Sequence, residues 1–115
     1  MHELSIATSI VDVAMETVDR LNASRVSAVN LRIGRLAGVD ADALRFSFDV
    51  VTQGTRLEGA ALAIAELPVV AFCDRCDRDV ELPAANFMHC PLCDQVTGII
   101  RQGKELEIAS LEIDE

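Results

Sequence analysis

Two cysteine pairs, Cys73-Asp-Arg-Cys76 and Cys90-Pro-Leu-Cys93, have the types and spacing most suited to chemistry in this chain. A C-x-x-C turn aims two sulfurs at one point, and two such turns facing each other make a tetrahedral thiolate cage. Four soft thiolates select Zn²⁺ over the hard cations. With sulfur in all four positions no place is left for water, so the expected zinc site is structural and not catalytic. The plainer readings are four unrelated thiols or a redox pair. A single C-x-x-C suits thioredoxin-like exchange, but two pairs separated by residues 77–89 do not. His89 stands beside Cys90, and a residue so close to an existing ligand reads as part of the loop.

The second candidate is the start of the chain, Met1-His2-Glu3. Three nitrogens lie there: the α-amine of Met1, the backbone amide of His2 and the His2 imidazole. Fused five- and six-membered chelate rings can bring all three around one metal. The Glu3 amide can add a fourth in-plane nitrogen, or a side-chain carboxylate, from Glu3 or elsewhere, can raise the coordination number instead. Square-planar nitrogen coordination suits Ni(II) or Cu(II). The site needs Met1 to be retained, as the bulky His2 leads us to expect. It also needs a deprotonated amine, whose usual pKa is about 8, so binding weakens as pH falls. By itself a His near a terminus is usually a solvated side chain, and Glu3 reads equally as a first-turn acid facing a helix dipole.

The elements that must position these residues follow from the apolar pattern. Leu4, Ala7, Val11, Ala14, Val18 and Leu21 recur every three or four residues and predict a helix over 4–22, ended by Asn22. Val29, Leu31 and Ile33 alternate with Asn30 and Arg32 in a strand over 26–36. Asp40 reads as the N-cap of a second helix running to about Gln53, with Leu44, Phe48 and Val51 buried and Gly54 as its stop. A strand follows over 60–67, with Leu62 and Ile64 on one side. Pro68 opens the cysteine module, whose ends are the apolar run 69–72 and the segment around Ile99 and Ile100. The last strand, 105–113, carries Leu106 and Ile108 and then Leu111 and Ile113; the slip in alternation predicts a bulge near Ser110. The expected class is α+β: a small mixed sheet with two helices over residues 1–68 and 104–115, interrupted by a zinc-ribbon module over 69–103.

Composition narrows the function. The chain has 115 residues, half of them apolar, with four Phe and no Trp or Tyr, so Val, Ile, Leu and Ala must build the core. A body this small gains from a metal staple. The net charge of −9 argues against nucleic acid and against an anionic membrane surface. The module 69–103 itself is net −2 before any metal, a poor phosphate binder for a ribbon. The first twenty residues carry Glu3, Asp12, Glu16 and Asp19 without a basic start, so no secretory leader is expected and the cytoplasm is the default. In that reducing compartment cysteines are metal ligands more often than disulfides. No phosphate loop and no activated nucleophile with its base are present, so the chain does not read as an enzyme.

The opening MHELSIATSIVD, the segment NLRIGRLAGVDADALRFSFDVVTQGT, the run GAALAIAELP, the paired cysteine module and GKELEIASLEID together resemble the HypA/HybF family along essentially the whole chain. The resemblance implies a nickel metallochaperone for [NiFe]-hydrogenase maturation. It implies Ni²⁺ carried on Met1, His2 and Glu3, and structural Zn²⁺ on Cys73, Cys76, Cys90 and Cys93. It also implies a HypB-type GTPase partner, a hydrogenase large-subunit precursor as recipient and, for some members, urease and its accessory protein. Position 40 is usually acidic in the family and can approach the nickel; here it is Asp40, whose plainer role is the helix cap. Many members have Gly directly after the second cysteine of each pair, where this chain has Asp77 and Asp94; Asp tolerates the left-handed backbone better than most residues. Monomer and homodimer are both compatible with the pattern. The competing reading is a zinc-ribbon adaptor that never carries nickel.

Overall fold

The computed structural model describes residues 2–114, so Met1, one of the expected nickel ligands, lies outside the described residues. Helix α1 (Glu3–Leu21) is followed by β1 (Arg25–Gly34), a 3-10 turn (Arg35–Ala37), α2 (Ala41–Val51), β2 (Ala61–Leu67), β3 (Val70–Cys73), β4 (Arg78–Glu81), β5 (Ile99–Gln102) and β6 (Leu106–Asp114). Three strands form one sheet in the order β2-β1-β6, and three form a second in the order β4-β3-β5. The chain divides into two compact units. One is the described part of Met1–Leu31, Val39–Ala65 and Glu107–Glu115; the other is Arg32–Gly38 with Glu66–Leu106.

In the first unit α1 buries Ile6, Ala7, Ile10, Val11, Ala14 and Val18. This corrects the expected stripe at both ends: Leu4 and Leu21 are each 54% exposed, while Ile6 and Ile10 are inside. The buried face of a globular helix is wider than a single column, so it takes in neighbouring columns such as that of Ile6 and Ile10. Asn22 ends α1 at φ 55°, with its N–H returned to the helix carbonyls of Asp19 and Val18. Helix α2 buries Leu44 and Phe48, leaves Val51 half-buried and ends two residues early, capped by Thr52 in a helical conformation. The Thr52 hydroxyl satisfies itself on the Phe48 carbonyl at 2.8 Å. Gly54, at φ 77°, belongs to the turns that follow and does not end the helix. Strand β1 stops at Gly34, short of the expected 36, because the 3-10 turn takes over. Along β6 the half-buried Ile108 and Leu111 are separated by exposed Ala109 and Ser110, so its burial follows the slip in the sequence pattern.

In the second unit β3 pairs antiparallel with β4, Val70 opposite Glu81 and Cys73 opposite Arg78, and with β5 on its other side. Val69, Ala71, Cys73, Val80, Leu82 and Cys90 are its buried cluster, with Leu36, Met88 and Ile100 packed against them. Two of those six are sulfurs from the cysteine pairs, so the apolar core is thin. At its edge the backbone of Gly34 lies against that of Gly103: Gly34 N–H donates to Glu105 O at 2.8 Å, and Leu36 N–H donates to Gly103 O at 2.7 Å.

A Cβ on Gly34 would stand 2.0 Å from the Gly103 carbonyl oxygen, so the backbones must part to admit it. Gly34→Ala should therefore cost about 2–3 kcal/mol. Gly98→Ala, in open space, should stay within about 0.5 kcal/mol of the parent. Thermal midpoints of the two variants check this, and equal midpoints would contradict it.

Candidate metal centres

Strand β3 delivers Cys73 at its end, and the turn to β4 carries Cys76. The loop between β4 and β5 brings Cys90 and Cys93 opposite them. Each turn closes through a left-handed aspartate, Asp77 at φ 51° and Asp94 at φ 65°. The second turn is pinned by Asp94 N–H to Cys90 O and Cys90 N–H to Gln95 O, both 2.8 Å. The Gln95 amide reaches across to the Asp74 carboxylate of the first turn.

The result is a single cluster. All four Sγ atoms lie within 4.8 Å of one another, Cys73 and Cys90 buried and Cys76 and Cys93 half-buried. The Cys73 and Cys93 sulfurs are 3.5 Å apart, and those of Cys76 and Cys90 are 3.9 Å apart. Thiolates held about 2.3 Å from a central zinc would be about 3.8 Å apart. The cage is therefore the right size for a zinc ion, and its donors are the soft ones zinc prefers.

Protons compete for the same sulfurs. Hydrogen bonding to the Cys93 thiol, and then burial, push Cys76 up to about 12. The Gln95 N–H lowers Cys93, but burial and the Cys73 thiol outweigh it and leave Cys93 raised. Burial also raises Cys90, yet the N–H groups of Leu92 and Cys93 prevail and bring it to about 7; the Leu92 N–H lies 3.4 Å from its sulfur. One thiolate, Cys90, thus forms readily near neutral pH, and a cation is needed to draw the protons from Cys76 and Cys93. His89 is not part of this cluster. Its Nδ1 lies 3.2 Å from the Asp94 carbonyl, and its ring meets Phe87 at 5.3 Å between centroids.

The terminal candidates lie in the first unit. His2 is exposed, in an extended conformation at the N-cap of α1, and no side-chain cap bond forms there. The first intrahelical bond of α1 runs from Ile6 N–H to His2 O at 3.2 Å. The His2 and Glu3 amides precede it, among the donors that a helix start leaves over. Asp40 caps α2 as expected, its Oδ1 accepting from Asp42 N–H at 3.0 Å and Ala43 N–H at 3.1 Å. The structure also brings Glu3 to Asp40, which the sequence reading missed: Glu3 Oε2 accepts the Asp40 N–H at 3.2 Å. These residues are far apart in the chain, and only the packing of α1 on α2 joins them.

The knuckle geometry predicts a specific substitution pattern. Asp77→Val and Asp94→Val should each cost about 1–2 kcal/mol, because a β-branched residue resists the left-handed conformation. The corresponding Gly variants should hold or raise stability, as read from thermal midpoints and from the rate of metal loss to a chelator. Equal behaviour of Val and Gly at either position would contradict this.

The family profile described as "Hydrogenase/urease nickel incorporation, metallochaperone, hypA" matches residues 1–113. The chain is 52% identical over 112 residues to the hydrogenase maturation factor HypA of Chloroflexus aurantiacus, covering 97% of this chain and 98% of that protein. It is 47% identical over 115 residues to HypA of a Roseiflexus species, covering all of this chain and 94% of the relative. In structure it is similar to the nickel metallochaperone HypA of Helicobacter pylori, with a TM-score of 0.67 at 25% identity, covering 99% of this chain and 98% of the other. Extended over the whole length and joined to the four-sulfur cluster, these similarities show that the chain belongs to the HypA family of nickel-incorporation metallochaperones for hydrogenase maturation, which are not enzymes.

Proposed function

We propose that this chain binds Ni(II) at its N-terminus and passes it, together with a HypB-type GTPase, to the precursor of the [NiFe]-hydrogenase large subunit. Urease, through an accessory protein, is a second recipient of the same chemistry. The nickel ligands are the Met1 amine, the amide and imidazole of His2 and the amide of Glu3. Asp40 is an added oxygen donor through the carboxylate oxygen its cap leaves over. The observation that carries this reading is the position of the His2 and Glu3 amides ahead of the first α1 bond. Nickel can take both without unmaking the helix, and the exposed imidazole of His2 needs no desolvation to join them. Such a site is shallow, which suits a carrier that must let go.

Zinc on Cys73, Cys76, Cys90 and Cys93 is the proposed resident metal, and its role is structural. We assign it to residues 69–103 and nickel to residues 1–68 and 104–115. The sulfurs are fully used by the cage, so they leave no open position for cargo. Transfer by protein contact in the cytoplasm, as a monomer or homodimer, fits the charge of −9, which disfavours nucleic acid and anionic membrane as partners. Among the described residues no helix is long and apolar enough to cross a membrane.

The test is a nickel titration of tagless, zinc-loaded protein against His2→Ala and against a variant with one residue added before Met1. Wild type should bind one nickel per chain, and both variants should lose it while zinc stays. Binding should weaken as pH falls, because the amine and amides must release protons to ligate. Equal binding in all three proteins would remove the terminus from the mechanism and leave a zinc-ribbon adaptor. Separately, Cys90→Ser should shed zinc and unfold the second unit, seen as loss of its dispersed amide resonances; a variant that keeps both would contradict the structural role.

A further inference from the structure

Glu3 opens α1, yet its side chain serves the other helix. Helix α2 has half of a capping box: Asp40 at the N-cap satisfies the N–H groups of Asp42 and Ala43. The other half is normally a Glu or Gln three residues after the cap, which reaches back to the N–H of the cap residue itself. In α2 that position is Ala43, which has no acceptor. Glu3 fills the gap from outside, its Oε2 accepting the Asp40 N–H at 3.2 Å. A carboxylate is favoured there because the N-termini of α1 and α2 both present positive dipole ends.

We infer that Glu3 is a positioning residue for the terminal metal site: its carboxylate completes the cap of α2 and so fixes the His2–Glu3 backbone and the Asp40 side chain against each other. This rests on the nickel reading above, in which the Glu3 amide and not its carboxylate meets the metal. One residue then holds two jobs without conflict, the main chain toward nickel and the side chain toward α2. The tether removes freedom from the terminus before metal arrives, which is where a preorganised site gains affinity. It asks only for an acceptor oxygen, so Gln can replace Glu and Ala cannot.

The experiment compares wild type, Glu3→Gln, Glu3→Ala and His2→Ala as full-length, tagless, zinc-loaded chains. In nickel-free protein, amide exchange at Asp40 should be slow in wild type and in Glu3→Gln and fast in Glu3→Ala. Nickel affinity should stay within about threefold for Glu3→Gln and fall about tenfold for Glu3→Ala, the factor one charge-assisted hydrogen bond is worth. Equal loss in Gln and Ala would make the carboxylate a ligand and overturn the inference. So would wild-type affinity in Glu3→Ala, or an Asp40 amide indifferent to both changes. If wild type binds no nickel, or His2→Ala binds it equally, the nickel reading fails and the positioning role falls with it. The Asp40 exchange rates would still report whether the tether exists, so the two failures are told apart.

Discussion

Everything in the second unit depends on four sulfurs being held within 4.8 Å of one another. Without a cation that arrangement has little to recommend it: thiolates repel, and a buried thiol is a poor hydrogen-bonding partner. The surrounding structure is nevertheless built to impose it. Two chain reversals run through aspartates in a left-handed conformation. Main-chain N–H groups point at Cys90 and lower it to about 7, while Cys76 is pushed up to about 12. The remaining apolar contacts are few, Val69, Ala71, Val80 and Leu82 with a handful of half-buried neighbours. A zinc ion held by these sulfurs would supply the cohesion that so small a cluster lacks.

The first unit solves the opposite problem. It has an ordinary apolar core, with Leu44, Phe48, Leu31 and Leu57 fully buried. What it offers is an exposed His2 at the N-cap of α1, where backbone donors are left over by the geometry of a helix terminus. A resident metal is best enclosed by strong ligands, and cargo is best held by weak and accessible ones. The two proposed sites differ in the direction these needs demand: soft sulfur and partial burial in one, nitrogen and exposure in the other. Glu3 ties the start of α1 to the cap of α2 through the Asp40 N–H.

The cysteine cage was legible from spacing, because C-x-x-C constrains two sulfurs locally and only one further step, bringing the pairs together, is left to the fold. The Asp40 cap was legible for the same reason: its bonds to residues 42 and 43 are local. The buried stripe of α1 was read in part, since a strict repeat of three and four picked Leu4 and Leu21 and passed over Ile6 and Ile10. Which columns are buried is decided by what the helix packs against, and that is not written in its own repeat. The end of α2 was misplaced by two residues because Gly54 is the stronger punctuation, whereas the Thr52 hydroxyl, folding back on Phe48, closes the helix first. The bond from Glu3 to Asp40 had no local signature at all. Its one clue is negative, the alanine at position 43 where a self-sufficient capping box would carry a glutamate.

The central claim is that two metals occupy chemically distinct sites, nickel on terminal nitrogen and zinc on sulfur. X-ray absorption at both metal edges, on tagless zinc-loaded protein given one equivalent of Ni(II), tests it most directly. The account predicts a nickel shell of nitrogen and oxygen alone, with zinc retaining four sulfurs. Sulfur in the nickel shell, or zinc released as nickel enters, would show that the cysteine cage takes the cargo and would contradict the account.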